Sequence, residues 1–165
     1  MRKILDPGGD PRRLRRKVLV SAVPKVGLLA AALLLSGCGK ELGRVPFTGE
    51  STSGTSAVLS AGRVDFWTDL DIAYVGSGSL EYHIALVQGG TPVATASCDA
   101  LGQMPLKVGW VEIDLPSGHT RKGSGRMSCS ANLPKGGATT VEAALAFGAR
   151  PTSALIRKAD LVIKQ

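Results

Sequence analysis

Residues 64–74, VDFWTDLDIAY, alternate strictly between two kinds of side chain. One parity is mostly apolar and comprises Val64, Phe66, Thr68, Leu70, Ile72 and Tyr74. The other is mostly charged and, with the preceding arginine, comprises Arg63, Asp65, Trp67, Asp69 and Asp71. Successive side chains of a β-strand point to opposite sides, so a period of two indicates a strand with one buried face. The stretch therefore predicts a half-buried β-strand.

The pattern repeats after a turn at residues 76–79. Leu80, Tyr82, Ile84 and Leu86 alternate with more polar positions, which predicts a second strand. The Gly89–Gly90 pair then predicts a hairpin, because a type I′ turn needs two residues with positive φ. A third strand follows over residues 92–98.

Further strands are predicted over residues 107–115, 127–133, 139–147 and 154–164. In two of them the alternation of apolar and polar side chains shifts by one residue, near Gly109 and near Lys158, which indicates β-bulges. Residues 141–146 also have helical propensity, but Thr139, Thr140 and Gly148 around them favour a strand. Seven or eight short strands with glycine and proline turns predict an all-β fold, a two-sheet antiparallel β-sandwich over residues 58–165.

Ahead of this domain, residues 39–57 are rich in Gly, Ser and Thr and have no apolar period. That composition predicts a disordered, flexible tether, which with Cys38 covers residues 38–57.

The chain carries a net charge of +7, and its position decides what it means. Eight of the 20 Lys and Arg residues lie in residues 1–37, so the rest of the chain is nearly neutral. A basic domain that binds nucleic acid is therefore not expected, and the 4% aromatic content argues against a platform for stacking bases.

The basic stretch is followed by ten apolar residues, 26–35, and then by Ser36, Gly37 and Cys38. Ten residues are about half of what a membrane-spanning helix needs, so residues 1–37 predict a helical signal peptide. The sequence Leu35-Ser36-Gly37-Cys38 resembles the lipobox of bacterial lipoprotein precursors.

The resemblance implies that Cys38 carries a diacylglyceryl group and becomes the new N-terminus after cleavage. Its acyl chains would then anchor the protein in a membrane of the cell envelope, with its domain on the periplasmic or the surface face. Because residue 39 is glycine and not aspartate, the family's sorting rule favours the outer membrane. Two alternatives stay open: an ordinary signal peptide, and twin-arginine export through Arg15 and Arg16.

Cys98 and Cys129 remain as a pair once Cys38 is lipidated. Outside the cytoplasm such a pair is expected to form a disulfide. Two free thiols that act in redox or metal chemistry are the alternative, although the spacing is not that of a CxxC motif.

Residues that could carry out catalysis are few. The two histidines, His83 and His119, have no zinc-binding spacing, and no nucleophile elbow, P-loop or dinucleotide motif is present. We therefore expect no metal, no cofactor and no enzymatic activity. A hydrolase with a dispersed site remains an alternative that requires a deep pocket with a histidine beside a carboxylate.

Two groups of residues are candidates for ligand binding. Trp67 lies among three aspartates on the polar face of its strand and, with Trp110, could stack on sugars; the aspartates alone could bind Ca²⁺. The second group is a predicted loop over residues 116–126, which is rich in glycine and cations and could bind an anionic partner. Its candidate residues are His119, Arg121, Lys122 and Arg126.

Together these features predict a lipid-anchored, non-enzymatic envelope protein whose β-sandwich binds another envelope component. The alternative is a carbohydrate-binding module for cell-wall or surface polysaccharide.

Overall fold

The computed structural model describes residues 39–165, and within that range the protein is all-β. Residues 39–165 contain nine strands and no helix, and so no helix that could cross a membrane. The strands are β1 (Glu41–Val45), β2 (Ser51–Leu59), β3 (Gly62–Val75), β4 (Ser79–Gln88), β5 (Thr91–Asp99), β6 (Leu106–Leu115), β7 (Gly118–Leu133), β8 (Gly137–Ala149) and β9 (Ser153–Lys164).

The strands form two antiparallel sheets packed as a sandwich, which confirms the predicted fold class. The five-stranded sheet has the order β1-β9-β3-β7-β6, and the four-stranded sheet has the order β2-β8-β4-β5. Across the two sheets, β1 contacts β2 and β5 contacts β7. Strand β6 extends beyond this overlap at one edge of the larger sheet.

The strand that decided the fold class lies at the centre of the larger sheet. On β3 the side chains of Val64, Phe66, Leu70 and Ile72 are buried between the sheets, as predicted. Thr68 is also fully buried, and its Oγ1 lies 3.0 Å from the Tyr82 hydroxyl of the opposite sheet. A polar residue is tolerated in the core here because it has a hydrogen-bond partner.

The predicted disulfide joins the two sheets. Cys98 in β5 and Cys129 in β7 are bonded, with their Cα atoms 5.4 Å apart. They are 31 residues apart in sequence. On the chain-entropy estimate, closing a loop of this length stabilises the folded state by about 3 to 4 kcal/mol.

The tether predicted over residues 38–57 is wrong from Glu41 onward. β1 pairs with β9 and β2 pairs with β8, so both are edge strands. Their small residues suit close packing: a Cβ at Gly54 would lie 2.9 Å from the Val141 carbonyl oxygen. Phe47, between the two strands, is buried in the core. These two strands raise the total to nine, where seven or eight were predicted.

The flexible loop predicted over residues 116–126 is also wrong. Only Pro116 and Ser117 form the turn, and β7 begins at Gly118. Gly123 is needed for close contact with β6: a Cβ there would lie 2.6 Å from the Gly109 carbonyl oxygen, and its φ is 134°. A glycine-rich sequence is here part of a paired strand because the neighbouring backbone approaches so closely.

The predicted local details of the other strands are confirmed. Gly89 and Gly90 have φ values of 56° and 80° in the β4–β5 hairpin. The register of β6 shifts between Val108 and Val111, and that of β9 shifts around Arg157, between Ile156 and Lys158. Residues 141–146 are strand, as their flanking residues predicted.

Candidate functional site

The outer face of the five-stranded sheet carries a network of ion pairs. Asp69 on β3 accepts hydrogen bonds from Arg44 of β1 and Lys158 of β9, and Arg44 also bonds Asp160 at 3.0 Å. Asp71 pairs with Lys122 at 3.1 Å and with Arg157 at 3.0 Å. Asp65 has Arg63 as its close partner, at 2.7 Å.

These contacts favour the ionised forms of two of the aspartates, Asp69 and Asp71, by lowering their pKa values. Burial opposes the charge of Asp69, but the hydrogen bonds from Lys158 and Arg44 outweigh it and lower the pKa of this carboxyl. The hydrogen bond from Lys122 is the main cause of a lowered pKa at Asp71. Carboxylates already engaged by Lys and Arg side chains are poor ligands for Ca²⁺. Within residues 39–165, no three His, Cys, Asp or Glu side chains come together as a metal site would require.

Trp67 does not offer an exposed ring, so its candidacy as a sugar-stacking platform is wrong. The residue is 4% exposed, and the Lys164 Nζ lies 3.9 Å from its ring centroid. Arg44 and Glu41 line the small hollow beside it. Because β1 was predicted as tether, the sequence could not reveal that Glu41 and Arg44 would lie beside Trp67.

Trp110 lies at the bulge of β6 and is half-buried against the edge of the core. The Lys107 Nζ is 5.2 Å from its ring centroid. Its indole Nε1 is buried and has no hydrogen-bond partner among the described residues. Trp67 and Trp110 thus do not form one exposed aromatic surface.

The predicted cationic residues of the 116–126 segment are engaged with carboxylates. Arg121 bonds Glu112 at 2.7 Å and Asp114 at 2.8 Å, while Lys122 pairs with Asp71. Arg126 approaches Asp65 at 3.9 Å. These cations lie on a strand and are balanced by acids, so they do not form the mobile basic loop that the sequence indicated.

His119 belongs to the same polar cluster. Its Nδ1 lies 2.6 Å from Asp114, and its ring is 5.0 Å from the ring of Tyr74. The hydrogen bonds from Arg121 and His119 lower the pKa of Asp114, and burial raises the pKa of Tyr74. A hollow of about 430 Å³ beside His119 includes Ser117 in its lining but not Asp114. The cluster pairs β6 with β7 by charge and places no nucleophile against the histidine.

His83 lies on the outer face of the four-stranded sheet, in a shallow trough of about 630 Å³. Its Nδ1 is 3.4 Å from the Ser97 hydroxyl, and its Nε2 is 3.9 Å from Glu81. These contacts are longer than those of a working catalytic triad, and the imidazole is largely exposed. The surroundings are mostly small side chains such as Ala85, Ala96 and Ala144.

Strand β6 carries the surface that sequence reasoning missed. Every residue of β6 except Trp110 is exposed. Its outward row is entirely aliphatic, with exposed fractions of 36 to 56%, and consists of Leu106, Val108, Val111, Ile113 and Leu115. We call this row the β6 strip. Val75 and Leu155, also exposed, lie on the same face of the sheet, towards the Leu115 end of the strip.

The sequence holds no signal that separates the β6 strip from a core-facing row. Both have a period of two, and only the neighbouring sheet decides which of them becomes covered. Monomeric proteins seldom expose contiguous aliphatic rows of this kind, so the β6 strip is the strongest candidate for a binding surface.

Cys38 and the signal peptide lie outside the described residues, although the chain immediately after Cys38 is ordered. The Lys40 N–H donates to the Gln165 carbonyl oxygen at 2.8 Å, and the Gln165 N–H donates back at 3.3 Å. Comparison of the chain with protein families, with curated proteins and with solved structures found no match.

Proposed function

We propose that the protein is a lipid-anchored component of the bacterial cell envelope that acts without catalysis, by binding another envelope protein through the β6 strip. The observation that carries the binding role is the exposed aliphatic row on β6. A second observation, the ordered backbone two residues after Cys38, bears on the anchor.

The lipid anchor follows from the lipobox resemblance at Cys38. Two residues of extended chain span roughly 7 Å, so an acyl group on Cys38 would hold the sandwich directly at the membrane surface. Two or more acyl chains suffice for stable attachment. A domain held in this way needs a lateral surface to meet a partner in the same membrane, and the β6 strip runs along one side edge of the sheet.

The binding role fits the chemistry of the described surface. The outer face of the five-stranded sheet carries ion pairs, and the trough on the four-stranded sheet is lined mostly by small side chains. The β6 strip instead exposes aliphatic side chains to water. Burying a fully exposed aliphatic side chain contributes about 1.5 to 3 kcal/mol, and covering these half-exposed ones contributes about half of that each, so a partner strand gains most from contact here. The carbohydrate-binding alternative is left without support, because it relied on Trp67 as an exposed ring.

Site-specific photo-cross-linking in intact cells tests the proposed function. A photoreactive residue at Ile113 is expected to give a discrete adduct with a protein of the envelope. The same probe at Val58, which is 77% exposed on the edge strand of the other sheet, is the matched control and should give none. An Ile113 probe that yields no adduct would contradict the binding role.

A further inference from the structure

The free edge of β6 is suited to strand pairing. β6 is the last strand of its sheet, so one edge of this ten-residue strand has no strand partner among residues 39–165. Proteins usually protect such edges with charges, bulges or a covering segment. β6 has a bulge at Gly109 and Trp110 and charges on its inward side, but its outward side is the aliphatic β6 strip.

We infer that the occupant of this edge is a second copy of the chain, with β6 pairing antiparallel to β6 about a two-fold axis. The inference rests on the proposed function, since it names the partner of the β6 strip. A two-fold contact joins the same patch of both copies, so every favourable pair occurs twice.

When the two β6 strands pair over all ten residues, apolar side chains of one copy lie opposite apolar side chains of the other. Leu106 comes opposite Leu115 of the second copy, and Val108 comes opposite Ile113. The bulge divides β6 into two arms, residues 106–108 and 111–115, and each short arm meets the end of the partner's long arm. Gly109 and Trp110 of each copy come opposite Glu112 and Val111 of the other, so the two bulges lie on either side of the axis and interrupt neither set of pairs.

The same register matches opposite charges on the inward side. Lys107 comes opposite Asp114 of the second copy, and this also occurs twice. A register centred on Ile113 would instead place Glu112 opposite Asp114, and like charges directly across a strand pair are destabilising. Charge complementarity thus selects the full overlap.

The expected assembly is a homodimer with a continuous ten-stranded sheet. A two-fold axis perpendicular to the sheet keeps the outer faces of both copies on the same side. The two β6 strips then lie side by side on that face, where their aliphatic side chains pack laterally, and each free edge is closed without a change in fold.

Sedimentation velocity of the purified mature protein in a mild detergent, over a concentration series, tests the dimer. The unaltered protein and Val58→Lys are expected to sediment as dimers. Ile113→Lys places two charges in the interface, and we expect it to raise the dimer Kd by roughly tenfold or more. Because Ile113 is exposed in the single chain, this change spares the core.

A charge exchange tests the register. Lys107→Asp and Asp114→Lys each place like charges across the axis and should weaken the dimer. The double exchange restores both pairs and should bring the dimer back towards its original strength. Within the chain, Lys107→Asp removes the pair with Glu112, and Asp114→Lys disturbs Arg121 and His119. The double variant restores none of these contacts, so rescue would report the intermolecular pair.

The outcomes separate this inference from the proposed function. A protein that stays monomeric at all concentrations, while its Ile113 probe cross-links to a different envelope protein, overturns the second copy and leaves the proposed function standing. A monomer whose probe gives no adduct overturns both. A dimer that Ile113→Lys does not weaken overturns the β6 interface.

Discussion

The Tyr82 hydroxyl joins the two sheets inside the core. From β4 it donates to the Ala159 carbonyl oxygen of β9 at 2.8 Å, and it lies 3.0 Å from the Thr68 hydroxyl of β3. Burial raises the pKa of Tyr82, so the group stays a neutral donor at any ordinary pH. The sequence placed both residues on inward-facing rows, but it gave no indication that they would meet.

Tyr82→Phe should lower the free energy of unfolding by about 1 to 3 kcal/mol, because it leaves buried oxygen atoms without a donor. Urea unfolding followed by far-ultraviolet circular dichroism measures the change. Tyr74→Phe is the matched control, since the Tyr74 hydroxyl makes no hydrogen bond among the described residues, and it should change stability little. Equal losses in both variants would show that the Tyr82 hydroxyl does not stabilise the fold.

Asp69 makes stability depend on acidity. Its pKa is lowered in the folded state from an ordinary value of 3.8, so it binds protons more weakly folded than unfolded. Its stabilising contribution is complete above the unfolded value and is lost as the pH falls through the lowered folded value. We therefore expect the urea concentration at the unfolding midpoint to decrease as the pH is lowered below about 4. The decrease should be smaller in Asp69→Asn.

Glu142→Gln is the control for that experiment, because Glu142 forms no ion pair among the described residues. It should lose stability with falling pH as the unaltered protein does. An Asp69→Asn profile that overlays the unaltered one at every pH would mean that the contacts with Arg44 and Lys158 do not stabilise the sheet.

At the scale of single strands, Gly123 controls how β6 attaches to β7. Its φ of 134° and the absence of a side chain let the β6 bulge approach to within van der Waals contact. A Cβ here would lie 2.7 Å from the Trp110 Cα, a distance that folded proteins do not tolerate without a backbone shift.

Gly123→Ala should therefore destabilise the protein by about 2 kcal/mol or more and should loosen β6 first. Hydrogen exchange of the β6 amides is the measurement. Gly49→Ala is the control, because a Cβ at Gly49 meets nothing within 4 Å and Gly49 has no positive φ. If Gly123→Ala left the exchange of β6 unchanged, the close approach would not hold the strand.

Strands with a hydrophobic row facing the opposite sheet were predictable from the sequence. β3 and β4 show this, since their period of two follows directly from burial on one side. β1 and β2 were not predictable, because they are edge strands whose order comes from hydrogen bonds to β9 and β8 and not from their own apolar period. The first half of β7 was missed for a similar reason: its glycines accommodate a neighbouring strand.

The candidate site residues likewise divide into those that could be predicted from the sequence and those that depend on the assembled fold. The Cys98–Cys129 disulfide could be predicted by elimination, because only two cysteines remained after Cys38. The burial of Trp67 could not be predicted, since it depends on side chains of β1 and on Lys164 from the far end of the chain. The β6 strip could not be told apart from a core row, because burial is a property of the assembled sandwich.

For the molecule as a whole, the proposed lipid anchor at Cys38 predicts a fixed orientation on the membrane, because the link between Cys38 and the sandwich is short. Lys40, Ser60, Gln88 and Lys135 lie at the same end of the sandwich: Gln165 bonds both Lys40 and Ser60, and the Gln88 side chain bonds the Lys135 carbonyl oxygen. This end would meet the headgroups, while the β6–β7 turn at Ser117 lies roughly 30 Å away, about the length of a ten-residue strand.

Fluorophores attached at Lys135 and at Ser117 of the lipidated protein in vesicles test this orientation. A quencher carried on lipid headgroups should quench the Lys135 label strongly and the Ser117 label weakly. Equal quenching at both positions would indicate a domain that tumbles on a long tether, as the composition of residues 39–57 first suggested.

The lipid anchor at Cys38 underlies the proposed function, and mass spectrometry of the mature protein purified from membranes tests it most directly. We expect an N-terminal peptide that begins at Cys38 and carries a diacylglyceryl group on its sulfur. A mature N-terminus at another residue, or a Cys38 without acyl modification, would contradict the anchor and the function built on it.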